Sequence, residues 1–272
     1  MLTKFQNLIS EIENTGFSEV CCSEKNAKSI KSLQALTSNI FKLRPNILKK
    51  MLSAEMYAGY RKMGIEYSQN PNDPDLMESI SLPCNILKNK PIGEISEFEI
   101  AFRDVGNKMF EIAEQLVSVI SEKYSDDHTT TFCCPESSFF QISYYKPYLH
   151  SRETLQELHQ DGNLLTFVMG NGPGLEIRDD AGGFHPINFE SDSMFVMPGE
   201  ILSLLTGNQV KTLFHKVKNH QKLKERIAIM CFINPSTEKT IKPWVNNTYN
   251  QHIDIRERIQ FHSTKFGLKP IA

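Results

Sequence analysis

His159, Asp161 and His215 are the residues of this chain whose types and order best fit chemistry at a metal. His159-Gln160-Asp161 has no helical periodicity and runs into Leu164-Leu165-Thr166-Phe167-Val168-Met169, which reads as a buried strand. Residues two apart on a strand face the same side, so His159 and Asp161 can converge on one ion while Gln160 points away. His215 follows a second apolar stretch, Thr212-Leu213-Phe214, and must return on a different strand to complete a triangle. Two neutral imidazoles and one carboxylate on one face of a metal suit mononuclear Fe(II) and leave three coordination positions open, room for dioxygen and a keto acid.

Arg226 opens the apolar run Ile227-Ala228-Ile229-Met230-Cys231-Phe232-Ile233, an interior strand. A guanidinium at the mouth of such a strand is costly to bury alone, and its planar fork matches a carboxylate, here that of a cosubstrate. Taken singly, these residues have plainer readings. An H-x-D triplet is usually surface polarity, a lone histidine can be a satisfied core residue, and an arginine can close an internal ion pair. Order, spacing and strand context together favour the metal site.

The elements that must position these groups follow from periodicity. Leu2 to about Cys22 and about Asn26 to Tyr57 read as helices, the second broken at Pro45. Residues 68–74 form a loop of turn formers. Phe98, Phe102, Val105, Met109, Ile112, Leu116 and Ile120 mark one face of a long helix expected outside a sheet. From Phe132 the pattern changes to short strands separated by Asn171-Gly172-Pro173-Gly174, Asp179-Asp180-Ala181-Gly182-Gly183 and Pro198-Gly199. The expected fold is mostly β with a helical N-terminal part: a double-stranded β-helix, or jelly roll, flanked by helices. The expected division is a helical region 1–130, a catalytic core 131–240 and a helical tail 241–272.

From Phe139 to Pro235 the chain resembles the catalytic half of the isopenicillin N synthase-like group of Fe(II)/2-oxoglutarate-dependent oxygenases. The resemblance rests on Gln141-Ile142-Ser143-Tyr144-Tyr145, Leu158-His159-Gln160-Asp161-Gly162-Asn163, Gly174-Leu175-Glu176-Ile177-Arg178, Pro198-Gly199-Glu200 and Phe232-Ile233-Asn234-Pro235. It implies Fe(II) on His159, Asp161 and His215. It also implies 2-oxoglutarate with its far carboxylate at Arg226 and the Tyr145 hydroxyl, Ser143 beside them, and dioxygen as oxidant. The implied reaction hydroxylates or desaturates a small molecule and releases succinate and carbon dioxide. Two positions depart from the group's pattern: Ala228 stands where a serine usually follows the arginine, and Ser143 where an asparagine usually precedes the tyrosine. They keep open a keto-acid-independent oxidase or cyclase like isopenicillin N synthase itself, and behind it a non-catalytic binding protein on the same barrel. Tyr144, Lys146, Arg178 and Phe195 flank the metal strands and are the candidate substrate contacts; Lys146 and Arg178 suit an acidic group.

Composition narrows the partners. With 272 residues, 40 % of them hydrophobic, the chain can bury a sizeable core. Lys+Arg of 30 against Asp+Glu of 32, a net charge of −2, gives no sign of a nucleic-acid groove or a membrane-surface patch. No run is apolar enough to span a bilayer, and the start lacks a signal-peptide core, so a cytoplasmic location is expected. The 6 cysteines include the adjacent pairs Cys21-Cys22 and Cys133-Cys134 but no C-x-x-C, and read as reduced thiols. The expected partner is a small molecule, and the expected state a monomer or weak homo-oligomer.

Overall fold

The apolar runs become strands with both faces covered, and the one-sided apolar stripes become the helices that cover them. The computed structural model describes residues 2–21, 24–43, 45–50, 52, 55–85, 96–125, 133–189, 193–238, 240–245 and 252–269. The first part of the chain forms α1 (Leu2–Thr15), β1 (Ser18–Cys21), α2 (Glu24–Leu43), α3 (Pro45–Lys50), β2 (Gly59–Arg61), β3 (Glu78–Pro83) and α4 (Ser96–Tyr124). Strands follow: β4 (Phe139–Tyr145), β5 (Thr154–Gln160), β6 (Leu165–Gly170), β7 (Leu175–Arg178), β8 (Phe184–Ile187) and β9 (Ser193–Pro198). The chain then forms α5 (Glu200–Leu205), β10 (Phe214–Lys218), β11 (Arg226–Ile233), β12 (Thr240–Ile241), β13 (Ile253–Asp254) and α6 (Ile255–Lys265).

Two antiparallel sheets make a jelly roll. The larger has the order β1-β9-β6-β11-β4-β3-β2, the smaller β5-β10-β7-β8. Period-two alternation sorts the side chains of the larger sheet. Ile227, Ile229, Cys231 and Ile233 of β11, with Phe140, Ile142 and Tyr144 of β4, join the core shared with the helices. Ala228 and Tyr145, the alternate residues, belong to an interior cluster with Leu155 and Val217 of the smaller sheet. Helices α2 and α4 pack on β11, and Phe102 of α4 meets Phe140 edge-on at 4.6 Å. Such a pair adds about 0.5–1.5 kcal/mol beyond its burial. No helix among the described residues is long and apolar enough to cross a membrane.

The amino-terminal part departs from the expected run of helices. α1 stops at Thr15, because Gly16 takes the left-handed conformation (φ +85) and its N–H caps Ile12 O at 2.9 Å. A Cβ on Gly16 would lie 2.6 Å from Leu213. The next four residues pair with β9 as an edge strand instead of continuing the helix to Cys22. The second helical stretch ends at Lys50, short of Tyr57, and β2 and β3 extend the larger sheet beside β4. At Ser18–Cys21, pairing with β9 overrode the local helical pattern.

Candidate metal centre

The smaller sheet brings the histidines together. β5 and β10 pair antiparallel with His159 directly opposite His215, and the rings lie 4.3 Å apart. Asp161 follows the end of β5. There the Glu200 N–H donates to Asp161 O at 2.9 Å, which ties the turn to α5. Thr166 Oγ1 donates to Asp161 Oδ2 at 2.6 Å and leaves Oδ1 toward the imidazoles. Oδ1 lies 4.0 Å from His159 Nε2 and 3.9 Å from His215 Nε2. One ligand atom from each residue falls within 4.8 Å of the others, and all three residues are buried, at 6 %, 7 % and 7 % exposure.

Hydrogen bonds on the far side of each ring set the tautomers. His159 Nδ1 meets Glu157 O at 2.7 Å, and His215 Nδ1 meets Leu213 O at 3.4 Å. A carbonyl only accepts, so Nδ1 carries the proton and Nε2 presents its lone pair inward. Burial, and then the neighbouring His215, push the His159 pKa down to about 4, so its ring is neutral. Behind it, Ser68 Oγ lies 3.4 Å from His159 Nδ1 and donates to Asp75 Oδ2 at 2.8 Å.

Burial drives the Asp75 pKa up to about 7, against the lowering by Ser68 and by the Glu157 N–H. A carboxyl raised in the folded state contributes stability below its unfolded pKa, near 4, and loses it as pH rises through 7. In metal-free protein the shift amounts to on the order of 3–4 kcal/mol across that window. Buried His159 acts in the opposite sense, so the wild type alone does not isolate Asp75. Asp75→Asn keeps an acceptor for Ser68 and removes the titration. Urea unfolding at pH 5 and pH 8 should show the variant gaining stability relative to wild type as pH rises, and parallel pH profiles would contradict the assignment.

Arg226 sits across the larger sheet, opposite Tyr145 in register, with Ala228 opposite Ser143. It is 1 % exposed; Nε donates to Pro173 O at 3.2 Å, the guanidinium lies 5.1 Å from the Tyr145 ring centre, and Nη1 has no hydrogen-bond partner. No carboxylate pairs with Arg226 among the described residues, and burial pulls its pKa down. Gly174 (φ +125) makes this approach possible, since a Cβ there would stand 2.9 Å from Lys218 O and 3.4 Å from Arg226 Nε. Tyr145 donates to Gln156 Oε1 at 3.0 Å.

A cavity opens from the triad toward α6, bounded by Phe139, Phe232, Asn234, Gln141, His262 and Phe266 among others. None of the four candidate substrate contacts lines it. Tyr144 is one residue out of phase with Tyr145 and faces the helices, stacked on Phe41 at 4.7 Å with its hydroxyl 3.2 Å from Glu225. Lys146 is paired with Glu78 at 2.9 Å. Arg178 lies over the Phe214 ring at 4.5 Å and lines a separate surface groove with Asp179 and Lys211. Phe195 is interior but lies in a different cluster, with Val168, Ile177 and Met197.

The residues that do line the cavity were legible only in part. Gln141 shares its strand face with Ser143 and Tyr145, a period-two signal. Gln156 was hidden by an irregularity in β5: a step of three residues from His159 to Gln156 opposes a step of two from His215 to Val217. His262 and Phe266 arrive from α6 and carried no local signal.

A family model for the 2OG-Fe(II) oxygenase superfamily matches residues 136–235. Oxoglutarate-dependent flavonoid 7-O-demethylase 1 of Ocimum basilicum is 27% identical over 199 residues, covering 70% of this chain and 53% of that protein. The chain thus spans about half the length of that relative. A full-length Neurospora crassa protein crystallised in complex with alpha-KG has the same fold, with a TM-score of 0.74 at 15% identity over 97% of this chain and 90% of the other. The dioxygenase for auxin oxidation in rice matches equally, with a TM-score of 0.74 at 13% identity over 98% and 92%. The residues matched by that family model, 136–235, run from just before β4 to just past the end of β11 and include all three triad residues, and the fold around them is shared with these solved structures.

Proposed function

We propose that the protein is an Fe(II)- and 2-oxoglutarate-dependent oxygenase that hydroxylates or desaturates a small molecule. The observation that carries this is the convergence of two imidazole lone pairs and one carboxylate oxygen, all buried, within 4.8 Å. His159, Asp161 and His215 hold the iron, and the donor set fits Fe(II) with room for further ligands. Arg226 holds the far carboxylate of 2-oxoglutarate, and its partnerless Nη1 fits that anion. When bound, iron and 2-oxoglutarate supply oxidative decarboxylation by dioxygen, with succinate and carbon dioxide as products and an oxidising equivalent for the substrate.

The chain's own contribution is positioning and exclusion of water. Glu157 O and Leu213 O hold the two imidazoles with Nε2 inward, and Thr166 keeps one Asp161 oxygen engaged so that the other is free. Tyr145 is fixed by Gln156. Phe139, Phe232 and Phe266 wall the cavity beside the triad. Residues 131–240 form the catalytic core, region 1–130 adds three strands as well as helices, and tail 241–272 supplies the cavity wall through α6. The near-neutral charge fits a small-molecule substrate and a cytoplasmic monomer or weak homo-oligomer.

The keto-acid-independent oxidase reading is favoured by Ala228, which removes a hydroxyl from the carboxylate clamp. Against it, the cross-strand partner of Ala228 is Ser143, so a hydroxyl is available from β4 at the same level of the barrel. Purified protein supplied with Fe(II), ascorbate and 2-oxoglutarate in air should form succinate above the level of an Asp161→Ala control. Equal succinate in both, with and without a substrate library, would remove the 2-oxoglutarate reading.

A further inference from the structure

We infer that Gln156 lowers the affinity for 2-oxoglutarate by holding the proton of the Tyr145 hydroxyl, which would otherwise join Arg226 on the far carboxylate. This rests on the oxygenase reading and adds a residue that sets how tightly the cosubstrate binds. Gln156 lines the cavity beside the triad. It stands an odd number of residues before His159, so regular strand alternation would turn it to the opposite face. The irregularity in β5 turns it inward instead, as bulges beside active sites do.

The direction of the Tyr145 proton is set from the far end of a buried chain of hydrogen bonds. Arg61 is 1 % exposed, and a guanidinium can only donate. Its Nη2 donates to Gln141 Oε1 at 3.1 Å, which fixes that amide with Nε2 as its donor side. Gln141 Nε2 donates in turn to Ser143 Oγ at 3.4 Å and to Glu66 Oε2 at 3.3 Å. With its oxygen accepting there, Ser143 has its own proton for the Tyr145 oxygen. Burial carries the Tyr145 pKa up to about 12, and the Arg226 charge and the hydrogen bond from Ser143 oppose that rise. A phenol has one proton. Its oxygen already faces a donor and a cation, so the proton goes to the remaining neighbour, Gln156 Oε1, at 3.0 Å. From β2 through β4 to β5, every bond of the chain points the same way.

The Arg226 guanidinium lies 5.1 Å from the Tyr145 ring centre, and its Nη1 is unpartnered. An anion drawn to Arg226 therefore finds the neighbouring phenol presenting lone pairs and not a proton. Ser143 can turn its hydroxyl to such an anion without touching the last link of the chain. Tyr145 can do so only by leaving Gln156 Oε1 bare, and a partly buried acceptor left unmet offsets the new bond. Leucine at position 156 removes the competing acceptor. Glutamate strengthens it and adds a like charge beside the incoming carboxylate.

Calorimetric titration of Fe(II)-loaded protein with 2-oxoglutarate under nitrogen is the test. Gln156→Leu should bind about tenfold tighter than wild type, and Gln156→Glu about tenfold weaker. Tyr145→Phe should cost less than about threefold in wild type but about tenfold in the Gln156→Leu background, because only there is the hydroxyl proton free. A merely structural role for Gln156 gives neither the opposite signs nor the coupling. Gln156→Leu that binds no tighter than wild type overturns the inference, as does Gln156→Glu that binds no weaker, or Tyr145→Phe that costs the same in both backgrounds. If circular dichroism shows that Gln156→Leu does not fold, Tyr145→Phe in the otherwise unaltered protein decides: a loss above about threefold overturns the inference, and a smaller one supports it. Wild type that holds iron but binds no 2-oxoglutarate overturns the cosubstrate reading itself, whereas wild type that binds it with the wrong order of variants overturns only the role of Gln156.

Discussion

Asp161→Ala should lower Fe(II) affinity by more than about 100-fold and abolish succinate formation, with little loss of fold. Removing a group that merely orients a metal ligand typically costs 10–100-fold in affinity, so losing the one charged ligand must cost more. Asp161 carries the only negative charge in the donor set. Its side chain receives a hydrogen bond from Thr166, whose hydroxyl also reaches Asn163 Oδ1 at 3.1 Å and so keeps an acceptor when Asp161 is removed. Asp161→Asn is the companion variant: it keeps the shape and an acceptor for Thr166 while removing the charge. Anaerobic titration against a chelator gives the affinity, and thermal unfolding of the metal-free proteins gives the stability. Affinity within tenfold of wild type in both variants would mean that iron sits elsewhere.

Arg226→Met should change two quantities in opposite directions. In protein without cosubstrate, the buried guanidinium has one N–H donor unmet and no carboxylate opposite, and its desolvation is reflected in a lowered pKa. An apolar side chain of similar length relieves that cost, so the variant should be as stable as wild type or more so. With 2-oxoglutarate the sign reverses. Removing the cation that meets a buried carboxylate costs about 3–5 kcal/mol, or roughly 10²–10⁴-fold in dissociation constant. Arg226→Lys should not restore affinity, because a point charge on a flexible stem cannot reproduce the planar fork. Calorimetric titration with 2-oxoglutarate and urea unfolding without it separate the two effects. A variant that is strongly destabilised yet binds 2-oxoglutarate normally would assign Arg226 to internal structure.

The contrast between these positions and the candidate substrate contacts, none of which lines the cavity beside the triad, shows what a single sequence carries. His159, Asp161 and His215 were readable because two-residue strand periodicity and apolar context act locally. The same periodicity could have separated Tyr145, which faces the interior, from Tyr144, which faces Phe41 and the helices. Phe195 does face the interior, but at a level occupied by a separate cluster, which depends on strand order and not on parity. Long-range partners decided the rest. Ser18–Cys21 became a strand because β9 offered an edge, and Arg61 became a buried residue because Glu66, Ser81 and Gln141 meet it there. His262 is invisible as a site residue until α6 folds back over Gly162.

Crystals grown anaerobically with Fe(II) and 2-oxoglutarate should hold a single iron bonded to His159 Nε2, Asp161 and His215 Nε2, with the far carboxylate of 2-oxoglutarate against Arg226. Iron bound at other residues, or three side chains that keep their places around no metal at saturating Fe(II), would contradict it.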